Sequence, residues 1–233
     1  MIKNLASLEI FHLLGDSHNG GKRVLLSSDG RIYKPRCIFW EWLFLGVDSP
    51  FRHALKEFCF YSEYSENNFL LPNLLFSIVN EIPQYGYVER LEYQKANKYT
   101  LAEFEAIGAT VALLGWFGLS DLHKENVALG RDVNGKLIFC PIDIEILFHD
   151  FSLISQTCLF PTSVDKKNIC GLTQLIRFAR EAGSSKFAVA MCHGYLEAMI
   201  HLNKNGYILD RSIEVASLFR TGNGSVISDA LRF

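Results

Sequence analysis

The spacing of hydrophobic and polar positions changes several times along the chain, and each change predicts an element. In residues 23–36, RVLLSSDGRIYKPR, the runs Val24-Leu25-Leu26 and Ile32-Tyr33-Lys34 flank Asp29-Gly30. That dipeptide supplies the positive φ of a tight turn, so the segment predicts a β-hairpin. Residues 15–21, GDSHNGG, have no apolar position. They predict a flexible loop with exposed backbone N–H groups leading into the first strand. From 48 to 66, Phe51, Leu55, Phe58 and Tyr61 recur three to four apart after Asp48-Ser49-Pro50, which predicts a helix with proline in its first turn. Residues 70–82 form an apolar stretch with Pro72 near its start and Pro83 closing it, and 85–89 read as a turn into a strand.

The second half carries the clearer signals. Thr100 with Glu103 three positions on predicts a capping box, and Phe104, Ile107, Val111 and Leu114 give one apolar helix face. Ala106, Gly108, Ala109 and Ala112 leave room for a close neighbour on that helix. Val127-Ala128-Leu129 and Leu137-Ile138-Phe139 predict strands joined across Asn134-Gly135, and residues 142–146 then alternate apolar with acidic. Residues 171–180 and 186–203 are helical by period, and the chain from Thr221 reads as a frayed end.

Composition narrows the class. With 233 residues and 49% hydrophobic positions the chain can bury one sizeable core or two small lobes sharing an interface, so disorder is excluded. Twenty-three basic against twenty-five acidic residues give a net charge of −2, which favours neither nucleic acid nor an anionic membrane as partner. No uninterrupted apolar run is long enough for a membrane span; Glu41 breaks the stretch 38–47, and Glu105 and Asp121 bound 106–119. Glu9, His12 and Asp16 interrupt any signal-peptide core, so a cytoplasmic location is expected. The six cysteines form no CxxC pair, and buried thiols are the default expectation.

The strongest chemical signal is Asp121-Leu122-His123-Lys124-Glu125-Asn126, followed one hairpin later by Asp143. Phosphoryl transfer needs a carboxylate to take the proton of an incoming hydroxyl, and an amide and a second carboxylate to hold Mg²⁺ against ATP phosphates. Asp121 and Asn126 have the offset of the kinase catalytic-loop Asp and Asn, and Asp143 stands where the metal-binding Asp follows. Two other readings remain open: a polar loop with an Asx-turn and solvated acids, and a hydrolytic metal cluster of Asp121, His123, Asp143, Glu145 and His149. The second has no evident use for Asn126. At the front, a glycine loop opening into a strand with a lysine on the next strand is similar to the way kinases cover phosphates. This makes Gly20, Gly21 and Lys34 nucleotide-binding candidates, the alternative for Lys34 being a surface side chain beside an exposed turn.

Together GDSHNGGKRVLL, YKPR, YGYVERL, SDLHKENVALG, PIDIEILFH, TCLFP and GYLEAMIHL resemble the dehydratase domain of class II lanthipeptide synthetases, whose kinase-like core is related to lipid kinases. The resemblance runs from about Gly15 to Asn203. It implies an α+β, two-lobed protein-kinase-like fold, with a small β-rich N-lobe over 1–95 and a mainly helical C-lobe over 96–233. It also implies ATP and Mg²⁺ as cofactors, phosphate contacts from Lys34, catalysis at Asp121 with His123 nearby, and Mg²⁺ at Asn126 and Asp143. Asp16 and His18 become active-site candidates as well. The implied substrate is a Ser or Thr hydroxyl of a precursor peptide, with phosphate elimination as the family's following step. A separate chain supplying further family regions is a candidate partner. Arg220-Thr221 lies near the family's eliminating pair, whereas Cys192-His193-Gly194 matches the family's zinc triplet without a partner cysteine. A small-molecule alcohol kinase, of antibiotic- or choline-kinase type, and a non-catalytic peptide-binding module are the alternatives.

Overall fold

The computed structural model describes residues 12–18, 22–56, 58, 60–61, 66–67, 69–78, 85–144, 157–161 and 169–218. Within them the fold is α+β, with a five-stranded antiparallel sheet, two two-stranded ribbons and six helices.

The sheet has the order β1-β2-β3-β7-β6, made of His12–His18, Lys22–Leu26, Ile32–Lys34, Gly86–Val88 and Phe76–Ile78. Asp29-Gly30 makes the turn between β2 and β3. Gly30 has φ 83°, and Ser27 N–H donates to Arg31 C=O at 2.9 Å. Leu25 faces Tyr33 and Leu26 faces Ile32 across that hairpin, while Lys34 closes β3 opposite Gly86. The predicted loop 15–21 is corrected in part: Gly15–His18 belong to β1, which pairs with β2 through a bulge between Leu14 and Ser17. Pairing along a neighbouring strand overrides the poor strand propensity of glycine, and a bulge is where glycine is best tolerated. Asn19, Gly20 and Gly21 lie outside the described residues.

Helix α1, Phe39–Leu45, is buried at every position, including its charged residue Glu41. It ends at Gly46, whose N–H donates to Trp42 C=O at 2.7 Å; a Cβ there would lie 2.5 Å from that oxygen, so only glycine lets the chain leave so closely. Helix α2, Pro50–Lys56, begins with proline as expected, and Ser49 Oγ accepts the Arg52 N–H at 3.1 Å. The predicted helix over 48–66 stops there. Phe60–Tyr61 (β4) pair instead with Glu66–Asn67 (β5), because aromatic side chains at helical spacing serve a strand equally well once a partner is present. The apolar stretch 70–82 supplies the edge strand β6.

Helix α3, Leu101–Trp116, starts with the expected capping box: Thr100 Oγ1 accepts Glu103 N–H at 3.2 Å and Glu103 Oε2 accepts Thr100 N–H at 2.8 Å. Residues 104–114 are all buried, so the helix is enclosed on all sides rather than along one stripe. Hairpin β8–β9, Val127–Arg131 and Leu137–Pro141, turns at Gly135 with φ 78°. Helices α4 (Thr173–Glu181), α5 (Lys186–Asn205) and α6 (Tyr207–Leu218) complete the described chain. The close neighbour expected for α3 is α5. A Cβ at Gly108 would meet Met191 C=O at 2.0 Å, and one at Gly194 would meet Glu105 C=O at 2.0 Å. Cys140 and Cys170 are buried, whereas Cys158 and Cys192 are exposed. No helix among the described residues is long and apolar enough to cross a membrane.

Candidate active site

The site is built where β3, α1 and the end of the β8–β9 hairpin meet. Lys34, the last residue of β3, is 7% exposed. A buried ammonium must be compensated. Its Nζ lies 2.9 Å from Glu41 Oε2 and donates to Ile142 C=O at 2.6 Å. Pro35 and Arg36 follow. The Arg36 guanidinium bridges Glu41 Oε1 and Asp143 Oδ1 through Nη2, and its Nη1 donates to Cys37 C=O at 3.2 Å. Glu41 Oε1 also accepts the Ile144 N–H at 3.3 Å. Burial pushes the Glu41 carboxyl up, but the charges and hydrogen bonds of Lys34 and Arg36 outweigh it and hold the group below the usual carboxylate range. Glu41 is therefore an ionised hub inside the core.

The second half of the site is the loop after α3. Gly118 and Asp121 both have positive φ, 57° and 60°. Asp is one of the few residues with a β-carbon that accept this backbone region, which is enriched at functional turns. The loop is braced by backbone bonds from Leu122 N–H to Thr157 C=O at 2.8 Å, Lys124 N–H to Ile169 C=O at 2.8 Å and Asn126 N–H to His123 C=O at 2.9 Å. Buried Leu122 anchors it, while the Asp121 side chain is 55% exposed. Asn126 Nδ2 donates to Asp121 C=O at 3.0 Å and to Asp121 Oδ2 at 3.2 Å. Those bonds commit the amide nitrogen to Asp121 and leave the amide oxygen as a hard donor atom. His123 Nδ1 accepts the Glu125 N–H at 3.2 Å, so a neutral ring carries its proton on Nε2, which lies 3.8 Å from Asp121 Oδ1.

The ribbon joins the two halves. Val127 pairs with Pro141, and the Ile142 N–H donates to Asn126 C=O at 2.9 Å while its carbonyl receives Lys34. Ile142 thus ties the loop bearing Asp121 and Asn126 to the strand bearing Lys34, and Asp143 follows it onto Arg36. An amide oxygen and a carboxylate are the kinds of hard oxygen donor that Mg²⁺ takes, so Asn126 and Asp143 are suited to such an ion by their chemistry. No group of three or more His, Cys, Asp or Glu that could hold a metal occurs among the described residues. Two members of the cluster reading, Glu145 and His149, lie outside the described residues.

Of the sequence-predicted site residues, Lys34, Asp121, His123, Asn126 and Asp143 fall along this one set of contacts. Asp16 and His18 lie on β1, whose backbone alone is described, with His18 opposite Lys22. Gly20, Gly21 and Arg220-Thr221 are outside the described residues. Glu41 and the role of Arg36 were not read from the sequence. The available signal was a lone acid inside FWEWLFL, seven and five residues after the two cations of YKPR.

A family model described as a domain of unknown function, DUF4135, matches residues 4–171, and this domain is associated with lanthipeptide synthetase-like proteins. No curated protein and no solved structure matches the chain.

Proposed function

The chain belongs to the DUF4135 family, and for this member we propose an ATP- and Mg²⁺-dependent phosphotransferase of lanthipeptide-dehydratase type that acts on Ser or Thr hydroxyls of a precursor peptide. The observation that carries the reading is the buried Lys34–Glu41 pair at 2.9 Å, reached from the same ribbon end that presents Asn126 and Asp143. A strand lysine held by a helix glutamate is the device by which kinases place an ammonium on ATP phosphates. Its chain context agrees: Asn19–Gly21 connect β1 to β2, Lys34 follows on β3 and Glu41 on the next helix. In this reading 1–95 form the small nucleotide lobe and 96–233 the larger catalytic lobe.

Each residue then has a task. Lys34, oriented by Glu41, binds a phosphate oxygen. Asn126 Oδ1 and Asp143 would hold Mg²⁺, which would neutralise phosphate charge when bound. Asp121 takes the proton of the acceptor hydroxyl as the hydroxyl oxygen bonds to the γ-phosphorus. The bond from that phosphorus to the β,γ-bridging oxygen breaks, and its electron pair leaves with ADP. Asn126 Nδ2 holds Oδ2 of Asp121 at 3.2 Å, and His123 Nε2 stands 3.8 Å from Oδ1. The exposure of Asp121 suits an acceptor presented on a peptide. Phosphate elimination would draw on Arg220 and Thr221.

Mass spectrometry of Ser- and Thr-bearing candidate peptides incubated with protein and MgATP tests the proposal. A gain of one phosphate, or a loss of water, is the expected result. Turnover with small alcohols alone would move the assignment to an alcohol kinase, and a folded chain that neither binds MgATP nor modifies peptide would be a non-catalytic module.

A further inference from the structure

The Lys34–Glu41–Arg36–Asp143 chain contains two cations and two carboxylates, and their charges cancel. Only one of the four, Lys34, has a task of its own at the phosphates; Arg36 is taken up by both acids. Its side chain is 8% exposed, against 2% for Glu41 and 21% for Asp143. The two cations reach opposite oxygens of one carboxylate, Lys34 at Oε2 and Arg36 at Oε1. Glu41 thereby anchors Arg36 independently of Asp143.

We propose that Arg36 is a built-in counter-cation for Asp143 that gates the metal site, so that divalent metal binds together with nucleotide and not ahead of it. This rests on the phosphotransferase reading. A bare divalent ion approaching Asp143 meets a carboxylate already neutralised, with a guanidinium at contact distance that cannot lose its proton. Coulomb repulsion at such range is large in a partly buried setting. A polyphosphate reverses the balance, because its negative charge offsets the incoming metal and draws on Lys34. Arg36 then keeps its hold on Glu41 while its contact with Asp143 opens to admit the ion. The device keeps the site from loading with metal alone, and Arg36 acts through Asp143 as a positioning residue rather than on the substrate.

Electron paramagnetic resonance of free Mn²⁺ in titrations of the full chain reads this without turnover. Wild type, Arg36→Gln and the double variant Arg36→Gln/Asp143→Asn are compared with and without a non-hydrolysable ATP analogue, with circular dichroism confirming that each is folded. Wild type should bind Mn²⁺ well only with the analogue. Arg36→Gln should bind Mn²⁺ alone at least ~10-fold more tightly than wild type, as the removal of one nearby unit charge requires, and the double variant should lose that gain. Unchanged or weaker nucleotide-free affinity in folded Arg36→Gln overturns the gate. Should that variant not fold, wild type decides: Mn²⁺ binding equally tight with and without the analogue overturns it too. A wild-type chain that binds no Mn²⁺ even with the analogue overturns the phosphotransferase reading itself, and the gate with it.

Discussion

Replacing Glu41 by Gln removes one charge and almost no volume from a site where that charge compensates two buried cations. Arg36 keeps Asp143 as a partner, so the cost falls mainly on Lys34, whose Nζ retains the Ile142 carbonyl but loses its counter-ion at 2.9 Å. Breaking a buried pair by removing one member costs about 3–5 kcal/mol. The surviving hydrogen bonds place Glu41→Gln at the lower end, about 3 kcal/mol, which for a chain of this size lowers Tm by about 6–12 °C. Urea denaturation followed by tryptophan fluorescence is well suited, since Trp40 and Trp42 flank the site of substitution and are both buried. Adding Lys34→Met should recover part of the loss, because the stranded ammonium is then gone, giving a coupling of about 1–3 kcal/mol. A Glu41→Gln loss within about 0.5 kcal/mol, or strictly additive single effects, would refute the claim that this pair is a buried, mutually dependent unit.

The Glu41 carboxyl titrates below its ordinary range in the folded chain, so its stabilisation is complete above the unfolded pKa of about 4.3 and is lost as pH falls through the folded value; the urea-measured advantage of wild type over Glu41→Gln should therefore shrink under acid, and a constant difference from pH 7 to pH 3 would contradict it. Gly194→Ala would press a methyl against the Glu105 carbonyl and should cost about 1–3 kcal/mol, whereas Gly115→Ala, with nothing within 4 Å, should be neutral or stabilising; reversal of that order in denaturation midpoints would refute the backbone contact of α3 with α5. Thr100→Ala removes half of the capping box and should cost about 1 kcal/mol in the same assay.

Elements fixed by their own residues were legible in the sequence. Asp29-Gly30 and Asn134-Gly135 set two hairpins through local turn chemistry, and Thr100 with Glu103 marked the start of α3. Helix α1 was not legible, because seven consecutive buried residues carry no period from which a face can be read. The segment after Lys56 was misread because Phe58 and Tyr61 at helical spacing cannot announce a strand partner. For the site, the offsets among Asp121, Asn126 and Asp143 were visible as chemistry along one stretch of chain. Glu41 was hidden, since its meaning depends on Ile144, 103 residues away, and on the return of Asp143 to Arg36, 107 residues away. Spacing cannot display a charge network closed by tertiary contact.

Under the proposed phosphotransferase reading Asp121 and Asp143, chemically identical, have different tasks. Titration calorimetry with MgATP, paired with phosphoryl transfer to peptide by wild type, Asp121→Asn and Asp143→Asn, measures both at once. Asp121→Asn should bind MgATP nearly as wild type does while turnover falls by about 10² to 10⁴, the usual contribution of a positioned general base. Asp143→Asn should lose Mg²⁺-dependent binding itself, because a hard cation loses an anionic oxygen. Equal loss of binding in the two variants would contradict the division of roles, and full turnover in both would contradict the phosphotransferase assignment.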